Sequence, residues 1–265
     1  MKTPRIRLVT RGDDAGSCCT ANLAIRDCCV RGILRNTSVL APAPAVAHAA
    51  AVLRECDGLC IGLHACITAE WDTVKWGPVL PARAVPSLVD KRGHFRATPE
   101  QIKQHGFDPD EVMAELAAQL ALLRALKFKV EYMDCHMCFN WLPGLEPRLA
   151  AFAAKEGLVY EPEGLVILPR IDGQFDSPVA AFCAALAAAR PGTYLCVTHP
   201  GYVRADLQRF RHTGYDNAAR DRDWQRRMLM DPAVIDCCAR HGIHPVRYVD
   251  LPARRRTFLA RETAR

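Results

Sequence analysis

A chain of 265 residues, half of them hydrophobic and 24% charged, carries enough apolar side chain to bury one large core, and that length suits a single α/β domain. The formal net charge of +6 is spread along the chain apart from Arg254-Arg255-Arg256 and Arg261, and only 7% of residues are aromatic, a composition that argues against nucleic acid as a partner. No apolar run reaches the roughly 18 residues a transmembrane helix needs, and the opening Met-Lys-Thr-Pro-Arg-Ile-Arg lacks a signal-peptide core, so the expectation is a soluble, cytoplasmic protein.

In chain order, residues 6–10 read as a strand, 20–32 as a helix closed by Gly32, 37–40 as a strand, 45–56 as a helix and 59–63 as a strand. Strand and helix alternating at this interval predict βαβ units and a parallel sheet. Residues 65–107 break the rhythm with Trp71, Trp76 and prolines at 78, 81, 86 and 99. An insertion this long is read as a functional loop that covers the site or shapes a groove, with its aromatic side chains as candidates to stack on sugar rings. Asp108, with Glu111 three residues on, reads as the capping box of an amphipathic helix over 111–126. A strand over 130–133 follows, then a helix after Pro143, short strands at 159 and 166–168, and a nearly uncharged helix over 178–189. The rest comprises a strand over 193–197, helices over 220–230 and 232–240, and a final strand over 246–249. Seven or eight strands suggest an α/β barrel rather than an open sheet, with its active site at the carboxyl ends of the strands. The domain is placed at residues 1–252, with a basic tail over 253–265.

Four short segments set an acid or a histidine just after a predicted strand: Asp13-Asp14-Ala15-Gly16, Gly62-Leu63-His64, Asp134-Cys135-His136 and Thr198-His199-Pro200-Gly201. Alone, each has an ordinary reading: Asp13-Asp14 as a helix N-cap, His64 as a satisfied core residue, His199 as a turn residue. Together they place two carboxylates and three histidines at the mouth of one sheet, a donor set suited to a divalent ion such as Zn²⁺, Mn²⁺, Fe²⁺ or Co²⁺ with proton transfer beside it. Adjacent acids point in different directions, so one can ligate while the other faces a reacting water. Cys135 and Cys138 form a lone Cys-x-x-Cys, too little for a structural zinc site; in an extended segment Cys138 would share the face of His136 and reach the metal's edge. The thirteen cysteines are odd in number and include three adjacent pairs, which predicts buried free thiols rather than a disulfide framework. His48, His94, His105, His212, His241 and His244 read as surface residues.

These segments, in order and over almost the whole chain, resemble the YdjC-like carbohydrate deacetylases, which include chitooligosaccharide deacetylases and hopanoid-associated members. The likeness is carried by Asp13-Asp14-Ala15-Gly16, Asn36-Thr37-Ser38, Gly62-Leu63-His64, Asp134-Cys135-His136, His199-Pro200-Gly201-Tyr202 and the Leu229-to-Pro232 helix end. The resemblance implies a distorted (β/α) barrel of about seven or eight parallel strands and hydrolysis of the N-acetyl group of an amino sugar (a chito-oligosaccharide, or a sugar joined to a lipid or metabolite), dependent on one divalent metal ion, Zn²⁺ or Mg²⁺ first and Mn²⁺ or Co²⁺ next. Asp14, His64 and His136 would hold the metal, Asp13 would act as general base, and His199 would protonate the leaving amine. Cys138, Ser38 and Tyr202 remain candidate contacts to substrate or to the metal's edge, and a homodimer would suit the family. Two departures stand out: Cys138 replaces the family's second histidine, and Ala15 its aromatic. The competing readings are a different barrel metallohydrolase, which would open on His-x-His rather than Asp-Asp, and a non-catalytic sugar-binding relic, which would need neither Asp13 nor His199.

Overall fold

The computed structural model describes residues 6–160, 165–168 and 177–251; the basic tail lies outside them. The predicted alternation resolves into eight strands, all parallel: β1 (Ile6–Ala15), β2 (Asn36–Val39), β3 (Cys60–Ala65), β4 (Val130–Cys135), β5 (Val159–Tyr160), β6 (Val166–Ile167), β7 (Gly192–Thr198) and β8 (Ile243–Val246). Seven run in the order β5-β4-β3-β2-β1-β7-β6, and β8 pairs with the first half of β1. The second half of that β1 edge pairs with β2, and Asn36 seals the handover. Its side-chain amide donates to the carbonyls of Thr10 and Val246 and accepts from the amide of Tyr248, which satisfies these three backbone groups where two strands share one edge.

Helices α1 (Cys19–Arg31), α2 (Val46–Leu53), α3 (Pro99–His105), α4 (Pro109–Ala125), α5 (Leu145–Glu156), α6 (Pro178–Ala188), α7 (Ala218–Met230) and α8 (Pro232–His241) accompany the strands. The main core is the layer between helices and sheet, built on Ile25, Leu34, Leu63, Leu116, Leu120 and Leu149. A smaller cluster of Val9, Cys60, Tyr132, Leu195 and Tyr248 forms a second apolar core. Gly62 is required there: a Cβ would stand 2.4 Å from the ring of Tyr132.

Three elements differ from the sequence reading. The last strand is Ile243–Val246 rather than 246–249, because Arg247 and Asp250 close a capping box that turns the following residues into a short 3-10 helix. Glu111 does not close a box with Asp108; Asp108 caps α4 alone by accepting from the amide of Asp110, and Glu111 accepts instead from the amide and hydroxyl of Ser87. The third is α3, unpredicted, whose signal was Thr98 before Pro99: the threonine hydroxyl accepts from the amide of Gln101 as an N-cap should.

The insertion is a fixed part of the body, pinned by buried polar groups of α4. Glu115 accepts from the amides of Val79 and Leu80, and Gln119 both accepts from the amide of Cys66 and donates to its carbonyl. Trp71, Trp76 and Phe95 are buried, so these aromatics are packing residues and not the stacking platforms expected. All thirteen cysteines are free thiols. Of the histidines read as surface residues, His105 and His244 are exposed, whereas His48, His94, His212 and His241 are half-buried, His48 against Asn22 and His212 against Trp71 and Tyr215.

Candidate active site

The carboxyl ends of β1, β3, β4 and β7 bring together Asp13, Asp14, His64, Asp134, His136 and His199. Between Gly12 and Ala15, β1 spends one residue more than β2, a bulge at the Asp pair, and Asp14 sits at φ 63°, left-handed for a residue with a side chain. In a regular strand the two acids would face opposite sides of the sheet; the bulge and the left-handed turn let both serve one pocket.

Three ligand atoms converge there. Asp14 Oδ1 lies 3.6 Å from His64 Nε2 and 3.4 Å from His136 Nδ1, and the two ring nitrogens are 3.3 Å apart. Ligand atoms held at about 2.1 Å around one tetrahedral ion are spaced by roughly this much. Asp14 Oδ1 is buried and receives no hydrogen bond, an orphan whose desolvation is costly unless a cation shares it. The donor set therefore fits a divalent ion.

Each histidine is backed by a carboxylate on its far nitrogen. His64 Nδ1 is 3.0 Å from Asp134 Oδ2, and His136 Nε2 is 3.0 Å from Glu70 Oε2. Such pairs fix the ring and its tautomer and raise the basicity of the nitrogen left for a metal. Burial alone would lower the pKa of His64, but Asp134 and Asp13 outweigh it and lift it to about 9. Burial likewise opposes the charged form of His136, and Glu70 carries it well above the ordinary histidine value. Asp134, despite burial, is held at about 2 by Arg11 and His64.

Two arginines neutralise the acids. Arg11 and Asp13 alternate along β1 and so share a face; Arg11 donates bidentately to Asp13, Nε to Oδ1 at 2.7 Å and the second nitrogen to Oδ2 at 2.9 Å. It also lies 3.1 Å from Asp134 Oδ2 and donates to the hydroxyl of Tyr248. Arg222 of α7 donates to Asp14 Oδ2 at 2.6 Å, its guanidinium over Trp71 and Phe210. Against burial, Arg222 is the main influence holding the Asp14 carboxyl well below the usual range, so it stays ionised.

His199 differs. Its backbone amide donates to Gln225 Oε1 at 2.6 Å, but among the described residues no hydrogen bond reaches its ring. Burial, with Arg222 adding to it and Asp14 opposing, pushes its pKa down to about 4.

Three candidate contacts have surroundings of their own. Ser38 is fully buried, its hydroxyl bonded to that of Tyr132 at 2.8 Å beside Asp134, beneath the site and out of a substrate's reach. The hydroxyl of Tyr202 donates to Asp27 of α1 and its ring lies under Arg226 of α7, so it joins two helices. Cys138 is exposed and follows Met137 in a left-handed turn, φ 53° and 50°, not the extended segment that would align it with His136; the Asp14, His64 and His136 group does not include it. Sequence reasoning missed Glu70, Arg11 and Arg222. The spacing of Arg11 and Asp13 was a readable signal for one of them; for Glu70 and Arg222 only the packing of the insertion and of α7 decides.

Comparison with known proteins places this arrangement. The YdjC-like protein family model matches residues 7–240. The chain belongs to the YdjC-like family. Among curated relatives it is 28% identical over 153 residues to the chitooligosaccharide deacetylase of Enterobacter sp. (strain 638), and 29% identical over 130 residues to the carbohydrate deacetylase of Thermoanaerobacter pseudethanolicus. The matched stretches cover 57% of this chain and 57% of the first relative, and 49% of each chain for the second, so the chain spans about half the length of the curated relatives it matches. A crystal structure from Enterococcus faecalis V583, of a protein named for cellobiose-phosphate cleavage, superposes with a TM-score of 0.77 at 21% identity, covering 92% of this chain and 97% of that one; it shares the fold of this YdjC-like chain.

Proposed function

We propose that this YdjC-like protein is a metal-dependent carbohydrate N-deacetylase, which releases acetate from an N-acetylated amino sugar. The observation that carries the reading is the convergence of Asp14 Oδ1, His64 Nε2 and His136 Nδ1 around a buried, unbonded carboxylate oxygen. The names of the curated relatives supply the substrate class.

A divalent ion held by Asp14, His64 and His136 would polarise the acetamide carbonyl and acidify a water. Asp13 would be the base for the attacking water, and Arg11, bonded to both its oxygens, fixes the orientation of that carboxylate. Arg222 keeps Asp14 charged throughout. His199 rests neutral; its conjugate acid, with a pKa of about 4, is a strong proton donor, so the ring takes up the proton released from water as negative charge builds on the former carbonyl oxygen and delivers it to the departing nitrogen. Trp141, half exposed on the turn that follows His136, offers an aromatic face at the rim where a further sugar ring can stack.

Acetate release from N-acetylglucosamine, di-N-acetylchitobiose and chitotriose tests the reading, using protein reloaded with Zn²⁺, Mg²⁺, Mn²⁺ or Co²⁺ beside an EDTA-treated sample and a His64→Ala variant. Release lost in both controls supports it. Metal-independent release overturns the assigned centre, and metal binding with no release from any N-acetylated sugar, free or lipid-linked, favours the binding relic.

A further inference from the structure

At the opposite end of the sheet from the candidate metal centre, α1 turns its adjacent cysteines to different neighbours. Cys28 donates its thiol to the carbonyl of Arg226 on α7 at 3.6 Å, whereas Cys29 points toward α2 and donates to the carbonyl of Asp57 at 3.7 Å. Asp57 follows Cys56, which is half-buried, so the Cys29 thiol stands against the residue next to Cys56. The two thiols, 27 positions apart in sequence, thus meet where the last turn of α1 packs on the segment after α2. Both line a cavity of about 660 Å³ together with Arg26, Arg35, Glu55 and Asp57. Arg35 leads into β2, and Asp57 precedes β3, so the cavity lies at the amino ends of these strands while Asp14, His64 and His136 stand at carboxyl ends.

We propose that Cys29 and Cys56 form a redox site, a dithiol that a hydroperoxide entering this cavity converts to an intramolecular disulfide. Cys56 is the attacking sulfur. The neighbouring Cys29 thiol, with Arg26 assisting, outweighs burial and Asp57 and brings the Cys56 thiol down to about 7, whereas the Cys29 thiol is pushed up. The Cys56 thiolate attacks the terminal peroxide oxygen, the O–O bond breaks, and the alkoxide leaves as an alcohol on taking up a proton, which yields a sulfenic acid. Cys29 then attacks that sulfur, the S–O bond breaks, and hydroxide leaves with the Cys29 proton as water. In sum, two thiols and one hydroperoxide give one disulfide, one alcohol and one water, a transfer of two electrons. The remaining thiols supply internal contrasts. Cys19 and Cys138 are exposed rather than set in this cavity, and Cys183, which meets Cys237, is pushed up to about 12 by burial and by that neighbour.

The test uses the full chain, reduced, exposed to stepwise doses of tert-butyl hydroperoxide, then alkylated and mapped by mass spectrometry without reduction. The first product is expected to be a Cys29–Cys56 cross-linked peptide, two hydrogens lighter than its parts and reversed by dithiothreitol. In Cys29→Ser, dimedone should trap a sulfenic acid at Cys56. Iodoacetamide at pH 7 should label Cys56 in that wild-type chain about tenfold faster than a thiol of ordinary pKa. First oxidation at Cys19, Cys138 or the Cys183–Cys237 pair would overturn the proposal, as would both Cys29 and Cys56 remaining alkylatable at doses that oxidise the others. None of these readouts uses the deacetylase reaction, so this site and the metal centre stand or fall separately.

Discussion

The β3–β4 flank of the site and its β7 flank hold histidines of opposite character. On the first, His64 and His136 are clamped between the Asp14 oxygen and a carboxylate behind each ring, and both are pushed toward the charged form. On the second, His199 is tethered through its backbone amide alone and is held neutral. The difference divides the labour. A ligand must keep one nitrogen at one place, which a carboxylate behind the ring enforces; a proton carrier must gain and lose a proton within a cycle, which a carboxylate clamp would resist.

Breaking the clamped flank at its shared oxygen should have the largest effect. Asp14→Ala is expected to abolish both metal binding, measured by elemental analysis after dialysis, and acetate release; it also leaves Arg222 buried without its partner, a cost of about 3–5 kcal/mol that should appear as a lower Tm. On the β7 flank, His199→Ala should lower kcat by about 10²–10⁴-fold while metal content stays at the wild-type level. Loss of metal in that variant would mean that His199 is a fourth ligand and that the contrast between the flanks is false. Glu70→Gln and Asp134→Asn sharpen the comparison further. Each is expected to weaken metal affinity by about 10–100-fold in competition with a chelator, with neither changing it as much as Asp14→Ala does.

A smaller effect should be legible in protons. Asp134 and Asp13 beside His64, and Glu70 beside His136, favour the charged form of these rings in metal-free protein, whereas both must be neutral to ligate, so metal binding near neutral pH should release protons, measurable by calorimetry in buffers of different ionisation enthalpy. The release attributable to His64 should fade as pH rises through about 9. The same shift gives a stability signature in metal-free protein. Because the folded-state pKa of His64 is raised, its contribution is complete below the unfolded value near 6.5 and is lost as pH rises through about 9. Least of all, Trp141→Ala should raise KM for chitotriose by roughly 5–10-fold, the equivalent of one stacked aromatic face of about 1–1.5 kcal/mol, and leave N-acetylglucosamine nearly unaffected.

The sequence by itself determined the alternation of elements and the parallel sheet, because each rests on local chemistry, the period-2 and period-3.6 apolar patterns and Gly32 after α1; it also set acids and histidines at the strand ends, whereas the choice of Asp14, His64 and His136 among them came from the family resemblance. It even held the Arg11–Asp13 pair, one face of one strand, unread. What only the tertiary structure decided lies in contacts between segments far apart in the chain. Glu70 reaches His136 because α4 pins the insertion, and Arg222 reaches Asp14 across 208 positions because α7 packs beside α1. The turn at Met137 and Cys138 moved one cysteine out of the site, and the packing of α1 on α2 gave another a partner. Pattern reports which face a residue takes on its own element; which side chain it meets there depends on how the elements pack, and that free energy is spread over the whole core.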